Sequence, residues 1–248
     1  MNAGVIKCRN LVPAGGKSPQ TFNLEIGRNT LTCIVGPADS GKTSYLRLLG
    51  GIDPPVRGEL EILGYKIWSL HENARRQLRL YAAYVLPNSA LLSSVNALQN
   101  IMLPAQYHCM GTDKHIEERA LALLAWLGYP DSNDDRPASE LPAMHQRLIA
   151  IARSLILDPE ILFIDDAFAF FDAAGSRRMA GLYLEMRDRH DLTLVLTTDN
   201  TAFAREQADL VLYTQSGLDT PAGSEADGNR LRRRPDRVDN PHNFTQLI

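Results

Sequence analysis

Gly36-Pro37-Ala38-Asp39-Ser40-Gly41-Lys42-Thr43 decides the reading of this chain. It fits G-x-x-x-x-G-K-[ST], a glycine-rich loop whose backbone N–H groups surround phosphate oxygens. An apolar, β-branched run, Leu31 to Val35, precedes it, and a helix-like run, Ser44 to Leu49, follows. This strand–loop–helix setting points backbone donors and a helix N-terminus at an anion. Lys42 is placed to reach the β- and γ-phosphates, and the Thr43 hydroxyl to hold Mg²⁺. Gly36, Pro37, Ala38, Asp39, Ser40, Gly41, Lys42, Thr43 and Ser44 are therefore the candidate nucleotide-binding residues.

Outward from the loop, the apolar pattern reads as alternating strands and helices. Phe22 to Ile26 alternates as a half-buried strand should, and Val5, Ile6 and Leu11 suggest another. Leu31 to Val35, Ile161 to Ile164 and Leu192 to Leu196 are nearly continuous apolar runs, as buried parallel strands are. Glu59 to Leu63 reads as a further short strand. Ile116 to Leu127 puts Ala120, Leu123, Leu124 and Leu127 on one helical stripe, and residues 148–156 also read as helix. The expected class is α/β with a mostly parallel sheet, function lying at the strands' C-terminal ends. A β-rich part is expected near the start and a helical subdomain at about 88–145. Residues 221–248, with five arginines between Arg230 and Arg237, read as a flexible tail.

The bulk properties agree with a globular chain. It has 248 residues, 44% hydrophobic and 22% charged, with a net charge of -3. That balance gives no global signal for nucleic acid, and none is expected as a partner. No apolar run approaches the roughly 18 residues of a membrane span, and the start lacks a signal-peptide core. A cytoplasmic protein is the expectation. Cys8, Cys33 and Cys109 lack metal-like spacing and read as reduced packing residues.

A phosphate loop needs a carboxylate to hold Mg²⁺, and Asp165, directly after the buried run Ile161 to Ile164, supplies it. Asp166, the next residue, is the candidate for orienting the attacking water. With these residues the chain resembles the ATP-binding subunits of ABC transporters over about 3–220. The resemblance is carried by Ile6-Lys7-Cys8-Arg9-Asn10-Leu11, by Ser139-Glu140-Leu141, by Ile149-Ala150-Ile151-Ala152-Arg153-Ser154-Leu155, by Leu157-Asp158-Pro159-Glu160 and by Ala208 to Leu212. It implies a RecA-like P-loop NTPase core with an antiparallel β subdomain and an inserted helical subdomain. It also implies ATP and Mg²⁺ as ligands and two partners, a membrane permease subunit and a second nucleotide-binding subunit packed head to tail. The chain would then sit peripherally on the inner face of a membrane.

The framework resembles that family more closely than the chemical positions do. The aromatic residue that stacks on adenine falls near Gly15. The glutamine that senses Mg²⁺ falls at Pro87, which has no side-chain amide and no N–H. The Leu-Ser-Gly-Gly-Gln signature reads Leu141-Pro142-Ala143-Met144-His145, adding side chains where backbone approaches phosphate. The catalytic glutamate position is Asp166, roughly 1–1.5 Å short, and such a displacement costs about 10²-fold. The switch histidine position is Thr198, which carries no imidazolium charge. The loop joining subunits reads Ala169-Phe170-Phe171-Asp172, with Asp172 retained. Asp39 replaces a glycine. Its carboxylate either opposes the phosphates, at about 1–4 kcal/mol, or points to solvent at little cost.

Together these departures imply a nucleotide-binding transporter subunit with weak or absent hydrolysis and a regulatory or structural role. Two alternatives stand beside it. An active transporter ATPase with variant motifs remains chemically possible, because Lys42, Thr43, Asp165 and Asp166 are all present. A soluble, non-transport scaffold of the same superfamily would need an extra basic or coiled-coil module. The short arginine-rich tail is all that the sequence offers for one.

Overall fold

The computed structural model of the chain describes residues 4–13, 21–130 and 134–214. Two sheets organise it. The central sheet is parallel throughout, in the order β6 (Ala82–Val85), β7 (Ile161–Ile164), β8 (Thr193–Thr198), β3 (Leu31–Val35), β9 (Leu210–Tyr213). Every residue of β3, β7 and β8 is buried. Strands covered on both faces are mostly apolar for that reason, with threonines at Thr32, Thr193, Thr197 and Thr198.

The two faces of this sheet feed different cores. Leu31, Cys33, Val35, Leu162, Ile164, Leu194 and Leu196 pack with helices on one side. Ile34, Ile161, Phe163, Val195 and Leu212 pack on the other, the period of two sending alternate side chains to opposite faces. The first side holds α3 (Ala97–Tyr107), α4 (Asp113–Leu127), α5 (Ala143–Leu155) and α6 (Ala173–Arg189). The second holds α1 (Lys42–Leu49) and an antiparallel sheet in the order β2 (Phe22–Gly27), β1 (Gly4–Val12), β4 (Arg57–Ile62), β5 (Tyr65–Lys66). Strand β2 alternates buried and exposed residues, as a sheet with one covered face requires. Two short helices, α2 (Glu72–Leu78) and α7 (Thr201–Gln207), complete the order.

Several boundaries differ from the sequence reading. Helix α1 begins at Lys42 rather than Ser44, so the loop lysine and threonine form its first turn. Strand β4 runs from Arg57 to Ile62, and Leu63 turns away at a φ of 52°. Strand β8 reaches Thr198 instead of stopping at Leu196, because threonine is itself a good strand former. Helix α5 begins at Ala143, so residues 143–145 of the signature-like segment are its first turn. Helix α3 was not evident, since Pro104 lies inside it and proline signals an end. It starts with a full capping box between Asn96 and Gln99. Buried Asn100 on α3 then ties the preceding loop through Leu92 and Val95. The proposed tail at 221–248 and the Gly15 position lie outside the described residues.

Candidate functional site

Strand β3 lies between β8 and β9, with Val35 level with Thr198 on one side and Tyr213 on the other. The phosphate loop therefore leaves the sheet at its C-terminal edge. Two of its residues, Asp39 and Gly41, adopt left-handed backbone with φ of 59° and 89°. Aspartate tolerates that region better than most residues do. Gly36 has no space for a side chain. A Cβ there would lie 2.1 Å from Thr214 Oγ1 and 2.6 Å from Ser40 Oγ. Those two hydroxyls are 2.6 Å apart and tie the loop to the end of β9.

Gly41 is the N-cap of α1, and no side chain caps the helix. First-turn amides have no partner within a helix, so this end is open to an anion. The Lys42 ammonium folds back over the loop and donates to Gly36 O at 2.7 Å and Pro37 O at 2.8 Å. Pro37, Ala38, Asp39, Thr43 and Ser44 are exposed around it.

Asp165, 2% exposed, directly follows β7. Its Oδ1 accepts from Thr43 Oγ1 at 3.1 Å and from Thr197 Oγ1 at 2.6 Å. Its Oδ2 is buried and has no hydrogen-bond partner among the described residues. A buried carboxylate oxygen without a partner is costly. Beside a threonine hydroxyl at the mouth of a phosphate loop, it is the donor set a hard divalent cation takes. The residues present therefore fit Mg²⁺.

Asp166 follows at a φ of 52°, its amide donating to Thr197 Oγ1 at 2.7 Å and its side chain exposed. Partial desolvation first, and then the Asp199 carboxylate, push its pKa above the ordinary carboxylate value. Thr198 is buried, and its hydroxyl accepts the Asn200 N–H at 3.0 Å. Asp172 caps α6 by accepting the Gly175 N–H at 2.7 Å. Before it, Phe170 is 57% exposed at a φ of 69°, an outlying conformation for a bulky residue.

The remaining sequence candidates lie on other elements. Leu141 is buried, Pro142 is the N-cap of α5, and Ala143 and Met144 are exposed. The His145 ring sits 5.3 Å from that of Tyr129. Pro87 is half-buried beyond the end of β6. Among the described residues, no hydrogen bond joins 141–145 to the phosphate loop, whereas Lys42, Thr43, Asp165, Asp166 and Thr198 gather at one edge of the sheet.

Sequence reasoning missed three contributors. Thr197 looks like strand filler, yet its hydroxyl contacts both aspartates. Thr214 binds the loop from 174 residues away. Arg147 sits in the apolar stripe of α5 and is fully buried, an anomaly visible only in three dimensions.

Comparison with known proteins places this geometry. A family model described as ABC transporter matches residues 19–169. The methionine import ATP-binding protein MetN of Rhodopseudomonas palustris (strain BisA53) is 32% identical over 208 residues, 83% of this chain and 55% of that protein. The chain thus spans about half the length of that relative. The lipoprotein-releasing system ATP-binding protein LolD of Bacteroides thetaiotaomicron is 30% identical, covering 74% of this chain and 84% of its own length. The ATP-binding cassette MJ0796, solved as a dimer in a post-hydrolysis state bound to ADP and phosphate, has a TM-score of 0.78 at 24% identity. That likeness covers 86% of this chain and 96% of the cassette, and it concerns the fold, a RecA-like P-loop core with an antiparallel sheet and added helices. On the family match and these relatives, the chain belongs to the ABC transporter family.

Proposed function

We propose that this chain is a nucleotide-binding subunit that takes ATP with Mg²⁺ on Gly36–Ser44 and couples it to a membrane permease, with hydrolysis slow or absent. The observation that carries the reading is the Asp165 carboxylate facing Thr43, with its Oδ2 unpartnered at the loop's mouth. On binding, Lys42 exchanges the carbonyls of Gly36 and Pro37 for phosphate oxygens. The open end of α1 supplies amide donors to them. Thr43 and Asp165 would hold Mg²⁺, which would supply neutralisation of the phosphate charge.

Slow turnover follows from the groups around this end. Asp166 is a shorter side chain than the glutamate of the resembling family. The Thr198 hydroxyl is engaged with the Asn200 amide and brings no positive charge. In a head-to-tail pair one site would use this chain's loop and carboxylates, and the other its 141–145 segment. Exposed Met144 and Pro142 would crowd the phosphates there. Both sites of a pair containing this chain would therefore turn over slowly, leaving it a regulatory or structural half.

The division into an ATP-binding domain over 1–220, with 88–145 as its helical subdomain and a separate tail, belongs to the same proposal. So does a cytoplasmic position against a permease. No helix among the described residues is long and apolar enough to cross a membrane. The active-ATPase reading rests on the same carboxylates. Turnover of purified protein, with Lys42→Ala as control, separates the two.

A further inference from the structure

Arg147 is 0% exposed, and its hydrogen-bond acceptors are backbone carbonyls. Nη1 donates to Leu86 O at 2.5 Å. Nη2 donates to Asp165 O, and to Asp166 O at 3.0 Å. Nε is buried and has no hydrogen-bond partner among the described residues. A buried guanidinium without a bonded carboxylate is costly, and an apolar side chain of like volume would fill the space more favourably. What the guanidinium does that a hydrocarbon cannot is draw several carbonyls to one point through its rigid fork.

Those carbonyls come from functionally distinct places. Two consecutive ones, Asp165 and Asp166, face α5. This turns the Asp165 side chain and the Asp166 amide to the opposite side, where Thr43 and Thr197 bind them. Asp166 accordingly takes its left-handed φ of 52°. The third carbonyl, Leu86, directly precedes Pro87. Six residues further along α5, Arg153 donates to Ser89 O at 2.9 Å and Ala90 O at 2.8 Å. Ser89 and Ala90 are themselves left-handed, with φ of 60° and 44°. Strained backbone of this kind persists only where its surroundings hold it.

We propose that Arg147 is a positioning residue for the Mg²⁺ carboxylates, tying the Asp165–Asp166 turn, the 86–90 segment and the first turn of α5 into one unit. Movement of the 86–90 segment or of residues 143–145 then shifts the metal-facing carboxylate directly. Arg153 fixes the far end of the segment without touching the aspartates. The metal half of the proposal rests on the Mg²⁺–ATP reading above. The mechanical half concerns the chain without nucleotide.

The test compares the full chain with Arg147→Met, Arg147→Lys and Arg153→Met. Hydrogen exchange without nucleotide is followed on peptides covering 84–92 and 161–171. Arg147→Met is expected to speed exchange about 10–100-fold in both peptides at once. The reporting amides are Ser89 and Ala90 in one, and Asp165 to Ala167 in the other. Arg147→Lys, which keeps the charge and loses the fork, falls between, and Arg153→Met affects 84–92 alone. ATP affinity is then measured with Mg²⁺ and with chelator. The gain from Mg²⁺ is expected to fall about 10–100-fold in Arg147→Lys, with metal-free affinity unchanged within about twofold. Exchange that rises in one peptide only, or equally in β3 and β8, overturns the tie. An intact Mg²⁺ gain in Arg147→Lys overturns the positioning role. If Arg147→Met does not fold, Arg147→Lys and Arg153→Met carry the same comparison. A parent chain with no Mg²⁺ gain removes the Mg²⁺–ATP reading instead, and the exchange pattern alone decides the tie.

Discussion

Replacing Asp39 by glycine should tighten nucleotide binding. Asp39 lies exposed in the phosphate loop at a φ of 59°. Two effects add. Left-handed backbone costs an ordinary L-residue about 1–2 kcal/mol and aspartate less, so relief of strain contributes under about 1 kcal/mol. The larger effect is charge. At about 6 Å and an effective dielectric of about 40, a carboxylate and one phosphate charge repel by about 1.4 kcal/mol. That corresponds to about tenfold in dissociation constant. Calorimetric titration with Mg²⁺–ATP should therefore show Asp39→Gly binding about 5–30-fold tighter than the parent at low salt. Asp39→Asn keeps the backbone cost and loses the charge, so it should recover most of the gain. The gain should shrink as ionic strength rises, because exposed charges are screened over about 10 Å at 0.1 M. Equal affinities for parent and Asp39→Asn would refute the electrostatic argument. A weaker Asp39→Gly would refute the whole of it.

Lys42→Ala should lose at least about tenfold in ATP affinity, because charge-assisted contacts to phosphate are strong. Its thermal midpoint should barely move, since the ammonium's hydrogen bonds among the described residues are to two loop carbonyls. Thr197→Val removes the acceptor of the Asp166 amide and a donor to buried Asp165, and should cost about 2–4 kcal/mol in urea unfolding. A loss under about 0.5 kcal/mol would show that neither bond matters. Asp166 gives a pH signature. Its folded-state pKa is raised, by desolvation first and by Asp199 second, so the fold holds that proton more tightly than the unfolded chain. Stability from this group is full below the unfolded value of about 3.9 and is lost as pH rises through the higher folded value. Asp166→Asn should accordingly match the parent in acid and exceed it above that window. Urea unfolding across the pH range checks this, and parallel curves would contradict it.

The central sheet and the loop were legible because a strand covered on both faces is mostly apolar. Leu31–Val35 and Ile161–Ile164 have no other reading once Lys42 and Asp165 follow them. Boundaries governed by polar residues were less legible. Thr197 and Thr198 extend β8, yet they resemble the turn that follows it. The helix read at 148–156 starts earlier, so residues 143–145 form its first turn behind Pro142. At the site, Thr43 and Asp165 pair across 122 positions because a phosphate loop needs a carboxylate for its metal. Nothing in sequence brings Ser40 to Thr214 across 174 positions, or Arg147 to Leu86 across 61. An arginine in an amphipathic helix reads as solvent-facing, and only the packed structure shows it inside.

The most direct test of the central claim is a paired measurement on the purified chain, Mg²⁺-dependent ATP binding beside steady-state phosphate release. Saturable binding that Lys42→Ala weakens is predicted, with turnover below about 0.1 s⁻¹, well under the ordinary range of enzyme rates. Turnover on the order of 1 s⁻¹ or faster, abolished by Lys42→Ala, would contradict it.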